Sequence, residues 1–218
     1  MRRPAHLKGV LGLFGGTFDP VHVGHLRTAY ELRVRFGFDR LHFIPAAEPP
    51  HRPKPMAPTE LRLQMLEAAL AGENDTVLDR REIERPGTSW TIDTALSLRK
   101  EYPDHALCLL LGMDAFLGLP EWRDYDRLLD YVNIIVARRP GTSLPDAGRL
   151  GRLLAARRVE PAPDRDWEKA GQIIVQDVTQ LEVSATELRA SIRAGAEPRY
   201  LVPDAVLHII VKSRCYAD

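Results

Sequence analysis

"GVLGLFGGTFDPVHVGHLRTAYELRVRFG", residues 9–37, joins two hydrophobic periods through a short polar hinge. The run Gly9–Gly15 is apolar and ends on glycine, the pattern of a short buried strand. From Val23 onward Leu26, Ala29, Tyr30, Leu32 and Phe36 fall on or near one face of a helix, and Gly37 stands where a C-cap belongs. Strand, glycine turn and helix in that order are the opening of an alternating α/β chain.

The alternation continues outward. "RLHFIPA" is expected to be a second strand, and the proline-rich Ala47–Pro58 an extended loop. Thr59 looks like the N-cap of a helix over "ELRLQMLEAALAG". "DTVLDRREIER" reads as one strand with a loop edge, and "TSWTIDTALSLRKEYP" as a helix entered through Thr and Ser. "HALCLLLGMD" is continuously apolar, as in a central parallel strand covered on both faces, and "YVNIIVARRPG" repeats that pattern. Pro140–Gly171 is mixed, with a helical piece near "GRLLAARR" and a loop at "VEPAPDRDW". "QIIVQDV" is a last strand, and "SATELRASIRAG" and "PDAVLHIIVKS" are closing helices. Strands alternating with helices predict a doubly wound parallel sheet with helices on both faces. With no repeat or linker, residues 1–218 are expected to form a single domain. Residues 1–8 would be an N-terminal extension, and residues 184–218 a C-terminal helical segment packed on the same domain.

The chain has 218 residues, 44% of them hydrophobic, and 30 basic against 30 acidic side chains. That balance argues against nucleic acid or an anionic membrane as partner but leaves room for a small anionic ligand. Cys108 and Cys215 cannot make a disulfide framework, and Cys108 in "ALCLLLG" reads as a buried thiol, so a reducing cytoplasm is expected. No apolar run approaches the ~20 residues of a membrane helix. The start imitates a signal peptide, but Asp19 and His22 follow where a small-residue cleavage site would stand.

In open α/β sheets ligands bind beyond the carboxyl ends of strands, which is where Gly15 and Gly16 fall. The helix that follows offers backbone N–H groups and a partial positive charge, suited to phosphate. His22 and His25, spaced i, i+3, can both face that end, with Gly24 leaving room between them and Thr17 adding a donor. Neither a Walker lysine nor the G-x-G-x-x-G fingerprint is present. A metal reading would need a third ligand from His42, Glu48 or His51, and helical zinc sites prefer histidines at i, i+4. Ser184 and Thr186 suggest a second capped helix beginning near Glu187, with Arg189 as a cationic fork for phosphate oxygens. Asp19 is expected to order the Asp-Pro turn rather than bind metal.

"GGTFDPVHVGHL" closely resembles the H-x-G-H signature of nucleotidyltransferases. Further blocks, "PPHRPKP", "RPGTSWTIDT", "LGMDAFLGLPEW", "VARRPG", "VSATELRASI" and "YLVPDAVLHII", resemble those of bacterial nicotinate-nucleotide adenylyltransferases in the same order, over nearly the whole chain. The resemblance implies a Rossmann-like fold and transfer of AMP from ATP to nicotinate mononucleotide, a step in pyridine nucleotide (NAD) biosynthesis. It implies that His22 and His25, with Arg189, contact the ATP phosphates and the transition state. Gly15, Gly16, Thr17 and Phe18 would form the cradle, Ser184 and Thr186 would hold phosphate, and Gly112 and Asp114 would meet the adenosine. Trp122 would stack on the nicotinate ring, with Thr91 and Trp90 beside it, and Lys54 and Arg52 would reach phosphates from the proline-rich loop. Ala185 replaces a serine common in the family, and Trp90 a tyrosine. Mg²⁺ would arrive with ATP, and no resident metal is expected. A homo-oligomer is allowed but not required. Rival readings are another H-x-G-H enzyme acting on nicotinamide mononucleotide, phosphopantetheine or a cytidylyl substrate, a zinc-dependent hydrolase, and a non-catalytic nucleotide sensor.

Overall fold

Among the described residues seven strands make one sheet: β1 (Gly9–Gly16), β2 (Arg40–Pro45), β3 (Thr76–Leu78), β4 (His105–Gly112), β5 (Asn133–Arg138), β6 (Arg158–Val159) and β7 (Ile173–Asp177). In this computed structural model, which describes residues 7–47, 54–139, 141–162, 167–179 and 181–217, their order is β3-β2-β1-β4-β5-β7-β6. Every pairing is parallel. The helices are α1 (Val23–Phe36), α2 (Thr59–Leu70), α3 (Arg81–Glu84), α4 (Thr91–Glu101), α5 (Met113–Leu117), α6 (Tyr125–Leu128), α7 (Gly148–Arg157), α8 (Ala185–Arg193) and α9 (Asp204–Ser213). No helix among the described residues is long and apolar enough to cross a membrane.

The alternation along β4 explains the layering. Ala106, Cys108 and Leu110 face a core completed by Ala29, Leu32 and Phe36 of α1, Met65 and Leu66 of α2, Leu188 of α8 and Val206 and Ile210 of α9. Leu107, Leu109 and Leu111 face the other core, completed by Ile92, Ala95 and Leu98 of α4, Phe116 of α5 and Leu150 and Leu154 of α7. A strand with apolar side chains on both faces is stable only when both are covered, as here. Cys108 is a fully buried thiol. Helix α1 ends as its sequence suggests: Gly37 adopts φ 60°, and its N–H bonds to the Arg33 carbonyl.

Four expectations change. Residues 81–84, read as part of a strand, form α3, because the ladder of β3 on β2 stops at Leu78. Thr59 lies inside the first turn of α2, whose N-cap is Pro58. Helix α4 starts only at Thr91, with Trp90 as its N-cap. Between β4 and β5, where no element was assigned, short helical pieces fold the chain back over the sheet. The sequence features at residues 1–6, 48–53, 140, 163–166, 180 and 218, Glu48, His51 and Arg52 among them, lie outside the described residues.

Arg62 of α2 is 1% exposed. It donates to the carbonyls of Thr17 (2.8 Å), Ala46 (2.8 Å) and Ala47 (3.0 Å) and to the hydroxyl of Thr59 (3.2 Å). It thereby ties α2 to the chain just beyond the carboxyl ends of β1 and β2. Arg62→Leu would remove four hydrogen bonds from a buried cation to partly buried acceptors, so urea unfolding at neutral pH is expected to show a loss of about 3 kcal/mol. Arg62→Lys should recover only part of it, because an ammonium lacks the planar fork.

Candidate active site

The sheet opens where its winding reverses. β1 remains paired with β2 as far as Gly16 opposite Pro45, and β4 with β5 as far as Gly112 opposite Ala137. The ladder between β1 and β4 ends earlier, at Leu13 opposite Leu109. The carboxyl ends of these neighbours therefore part. A side chain added at Gly15 or at Gly112 would meet nothing within 4 Å. The gap is part of a cavity of about 240 Å³. It collects many of the residues expected from the sequence: Gly15, Gly16 and Thr17 after β1, Gly112 after β4, and Trp90, Thr91 and Trp122.

Several polar groups of this cavity escaped the sequence reading. Glu82 lines it and accepts a hydrogen bond from Thr94 Oγ1 at 2.8 Å. Burial raises the Glu82 carboxyl above its usual range, opposed by that hydrogen bond. Arg85 donates to Ser89 Oγ and to Thr94 Oγ1. Arg123 also lines the cavity, with its guanidinium 5.4 Å from the Trp90 ring centre. The signal for Arg85 and Thr94 was present, since they bracket the block "RPGTSWTIDT"; Arg123 had none beyond standing next to Trp122.

Beside the cavity lies the histidine pair. Phe14 lines the cavity and also lies edge-on to His25, with ring centres 6.2 Å apart. His22 is the N-cap of α1, and its backbone N–H donates to His25 Nδ1 at 3.3 Å. That bond requires Nδ1 to be an acceptor, so neutral His25 carries its proton on Nε2. The two rings stack with centres 3.7 Å apart. Burial pushes His22 down to about 4. Burial, and then the neighbouring His22, pushes His25 down to about 3. His22 is 5% exposed, and its Nδ1 has no hydrogen-bond partner among the described residues. Gly24 sits tightly against the first ring: a Cβ there would stand 3.0 Å from His22 Nδ1, so the imidazole would have to shift by a few tenths of an ångström. The expected row of unpaired amides at this helix end is shortened, because the Val23 N–H is taken by the Leu201 carbonyl at 2.9 Å.

The second capped helix converges on the same place. Ser184 is the N-cap of α8, and its hydroxyl accepts from the Glu187 N–H at 3.2 Å. The helix begins at Ala185, earlier than expected, so Thr186 sits in its first turn and accepts from Arg189 at 3.3 Å. The Val183 carbonyl lies 3.6 Å from where a Gly24 Cβ would be, which brings the entrances of α1 and α8 together. Arg189 donates to the Asp19 carbonyl at 2.7 Å. Asp19 does more than order a turn: its carboxylate accepts from the N–H groups of Met56 (2.8 Å) and Ala57 (3.0 Å) and from Tyr216 Oη (2.7 Å).

The cavity lining does not include His22, His25, Ser184, Thr186 or Arg189, and three further expected residues also lie outside it. The Phe18 side chain is 1% exposed and packs on Phe43 and His25, with its ring under Gly16, so only its backbone is open to a ligand. Asp114 is exposed in the first turn of α5 and does not line the cavity, because Ala115 takes that side of the turn. Lys54 is exposed and also outside the cavity lining. His42, the third-ligand candidate of the metal reading, turns its Nδ1 to Asp79 Oδ2 at 3.0 Å, and Asp79 in turn pairs with Arg81 at 2.8 Å.

Residues 13–191 match the model of the cytidylyltransferase-like family. A protein of Aeromonas hydrophila named "Probable nicotinate-nucleotide adenylyltransferase" is 42% identical over 210 residues, 96% of this chain and 98% of that protein. A Pseudomonas aeruginosa protein of the same name is 45% identical over 207 residues, 94% of this chain and 96% of that one. In fold, the chain resembles the Plasmodium falciparum nicotinic acid mononucleotide adenylyltransferase solved with NaAD, with TM-score 0.74 and 13% identity over 95% of this chain and 97% of that one. The parted sheet, the paired histidines and these likenesses agree: the chain belongs to the cytidylyltransferase-like family and, within it, to the nicotinate-nucleotide adenylyltransferases.

Proposed function

We propose that this chain transfers the adenylyl group of ATP to nicotinate mononucleotide, giving nicotinate adenine dinucleotide and pyrophosphate. The observation that carries the reading is the opening between β1 and β4. There Gly15 and Gly112 leave space for a ligand beside Trp90 and Trp122, and Phe14 of the same lining packs against His25 of the histidine pair. The relatives at 42% and 45% identity bear the name of this activity.

A phosphate monoester is largely a dianion near neutral pH, so the mononucleotide needs no general base. One of its oxygens bonds to the α-phosphorus of ATP in line with the departing group. The bond from that phosphorus to the bridging oxygen breaks, and pyrophosphate leaves with the electron pair. Catalysis then rests on alignment and on matching the charge that spreads over phosphate oxygens. In this reading Gly15, Gly16 and Thr17 hold the centre of the reaction with backbone groups. His22, His25, Ser184, Thr186 and Arg189 take the triphosphate, and Gly112 and Asp114 meet the adenosine. Trp122, Trp90 and Thr91 hold the nicotinate ring, and Lys54 approaches from the neighbouring loop. Magnesium enters as part of the ATP substrate and offsets its charge. The setting is the cytoplasm, where Cys108 and Cys215 stay reduced.

A pyrophosphate-release assay with ATP and nicotinate mononucleotide tests the reading directly. The wild type should turn over, and His22→Ala and His25→Ala should each lower kcat by about 10²–10³. A wild type inert toward both the acid and the amide mononucleotide, or a His22→Ala variant with full turnover, contradicts the assignment.

The buried imidazoles supply a second test. In the free protein the ring C–H resonances of His22 and His25 should hold still from about pH 7.5 to about pH 5.5 and move only in more acid solution. A non-hydrolysable ATP analogue with Mg²⁺ should raise both midpoints by about one pH unit or more, since anionic oxygens favour imidazolium. Unmoved midpoints would place the triphosphate elsewhere. Stability carries the matching sign: each folded-state pKa lies below the unfolded ~6.5, so the unfolded chain binds more protons in between. The urea midpoint should therefore fall as pH drops from about 6.5 toward about 4, and less steeply in a His22→Gln variant.

A further inference from the structure

Among the described residues lining the cavity, Glu82 and Arg123 are the charged ones, and their signs are opposite. Arg123 has contacts on two sides. Its guanidinium lies over the Trp90 ring at 5.4 Å, and its Nε is 3.7 Å from Asp124 Oδ2. Asp124 adopts a left-handed φ of 51°, which turns the chain sharply into α6 immediately after Arg123. Glu82 is held by Thr94 from the first turns of α4.

We infer that Arg123 is the side chain that selects the acid form of the pyridine mononucleotide over its amide. The inference rests on the reading of this cavity as the mononucleotide site. A pyridine joined to ribose through its ring nitrogen is a cation in both forms. They differ at the ring substituent, which is a carboxylate in one and a neutral amide in the other. A ring seated among Trp90, Trp122 and Thr91 presents that substituent to groups at the cavity wall. A guanidinium there attracts a carboxylate and gains little from an amide, whose N–H groups it cannot accept from. Glu82 has the opposite sign and complements the ring cation, which is common to both forms. The cavity thus carries separate charges for the shared and the distinguishing parts of the ligand. The Arg123 side chain is 58% exposed, so solvent reduces the attraction and its effect on selection is about tenfold rather than several orders of magnitude.

The test is the ratio of kcat/KM for nicotinate mononucleotide to that for nicotinamide mononucleotide, measured with saturating MgATP on wild type, Arg123→Gln and Glu82→Gln. Arg123→Gln should lower the ratio about tenfold, chiefly by raising KM for the acid. Glu82→Gln should weaken both substrates by similar factors and leave the ratio within about twofold. An unchanged ratio in Arg123→Gln overturns the inference. So does a Glu82→Gln ratio that moves as far, since the ratio would then report only damage to the cavity. Failure of the functional reading itself is seen separately, in the wild type, as turnover of neither mononucleotide.

Discussion

Hydrogen bonding between β1 and β4 stops while each strand stays paired on its other side, and the candidate site depends on that divergence. Its cause is the winding of the chain. From β1 the chain passes into α1, which packs on the sheet face bearing Cys108, whereas from β4 it passes into α5, which packs on the face bearing Leu109. Two parallel neighbours whose continuations leave in opposite directions cannot remain bonded to their tips. The parted tips leave a space walled by backbone, and glycine at both tips keeps it open.

The chain around the entrances of α1 and α8 is assembled by charge as well as by apolar packing. Asp19 gathers the amides of Met56 and Ala57 and the hydroxyl of Tyr216, while its own carbonyl receives Arg189. Burial and the Asp19 charge raise the Tyr216 hydroxyl above its usual range, which keeps it a donor. Arg62 makes the complementary arrangement, a buried cation among carbonyls. An acceptor hub and a donor hub thus tie down the same stretch of chain after β1 with no ligand involved. Such preorganisation is what charge stabilisation in a transition state requires.

The stacked imidazoles fit the same logic. At 3.7 Å two imidazolium rings would repel, and burial further disfavours charge, so both rings are neutral in the free chain near pH 7. A neutral ring still has one N–H to donate, and in His25 the bond from the His22 amide assigns it to Nε2. A polyanion bound beside the rings, as proposed above, would supply the missing favourable charge and increase donor strength at this helix end.

Much of this was legible in short windows of sequence, because strand periodicity, helix stripes and caps are decided by backbone geometry within a few residues. The strand–glycine–helix unit over residues 9–37, the doubly covered β4, the Ser184 cap and the spacing of His22 and Gly24 from His25 all belong to that class. What tertiary structure alone decided lies between residues far apart in the chain. Tyr216 reaches Asp19 across 197 positions and Arg189 reaches it across 170, and no local pattern marks either contact. Phe18 sits inside a motif that looks open to ligand, yet the space beneath Gly16 draws its ring into the core. Arg123 and Glu82, 41 positions apart, carry no local signal, and only packing brings both to one cavity. The sequence by itself determined the alternation of the main strands and helices and the placing of glycines and histidines at the end of β1, because those follow from local periodicity and residue type. Which charges face the cavity was decided only by the folded chain, because burial and distance set electrostatic strength and neither exists before the sheet closes.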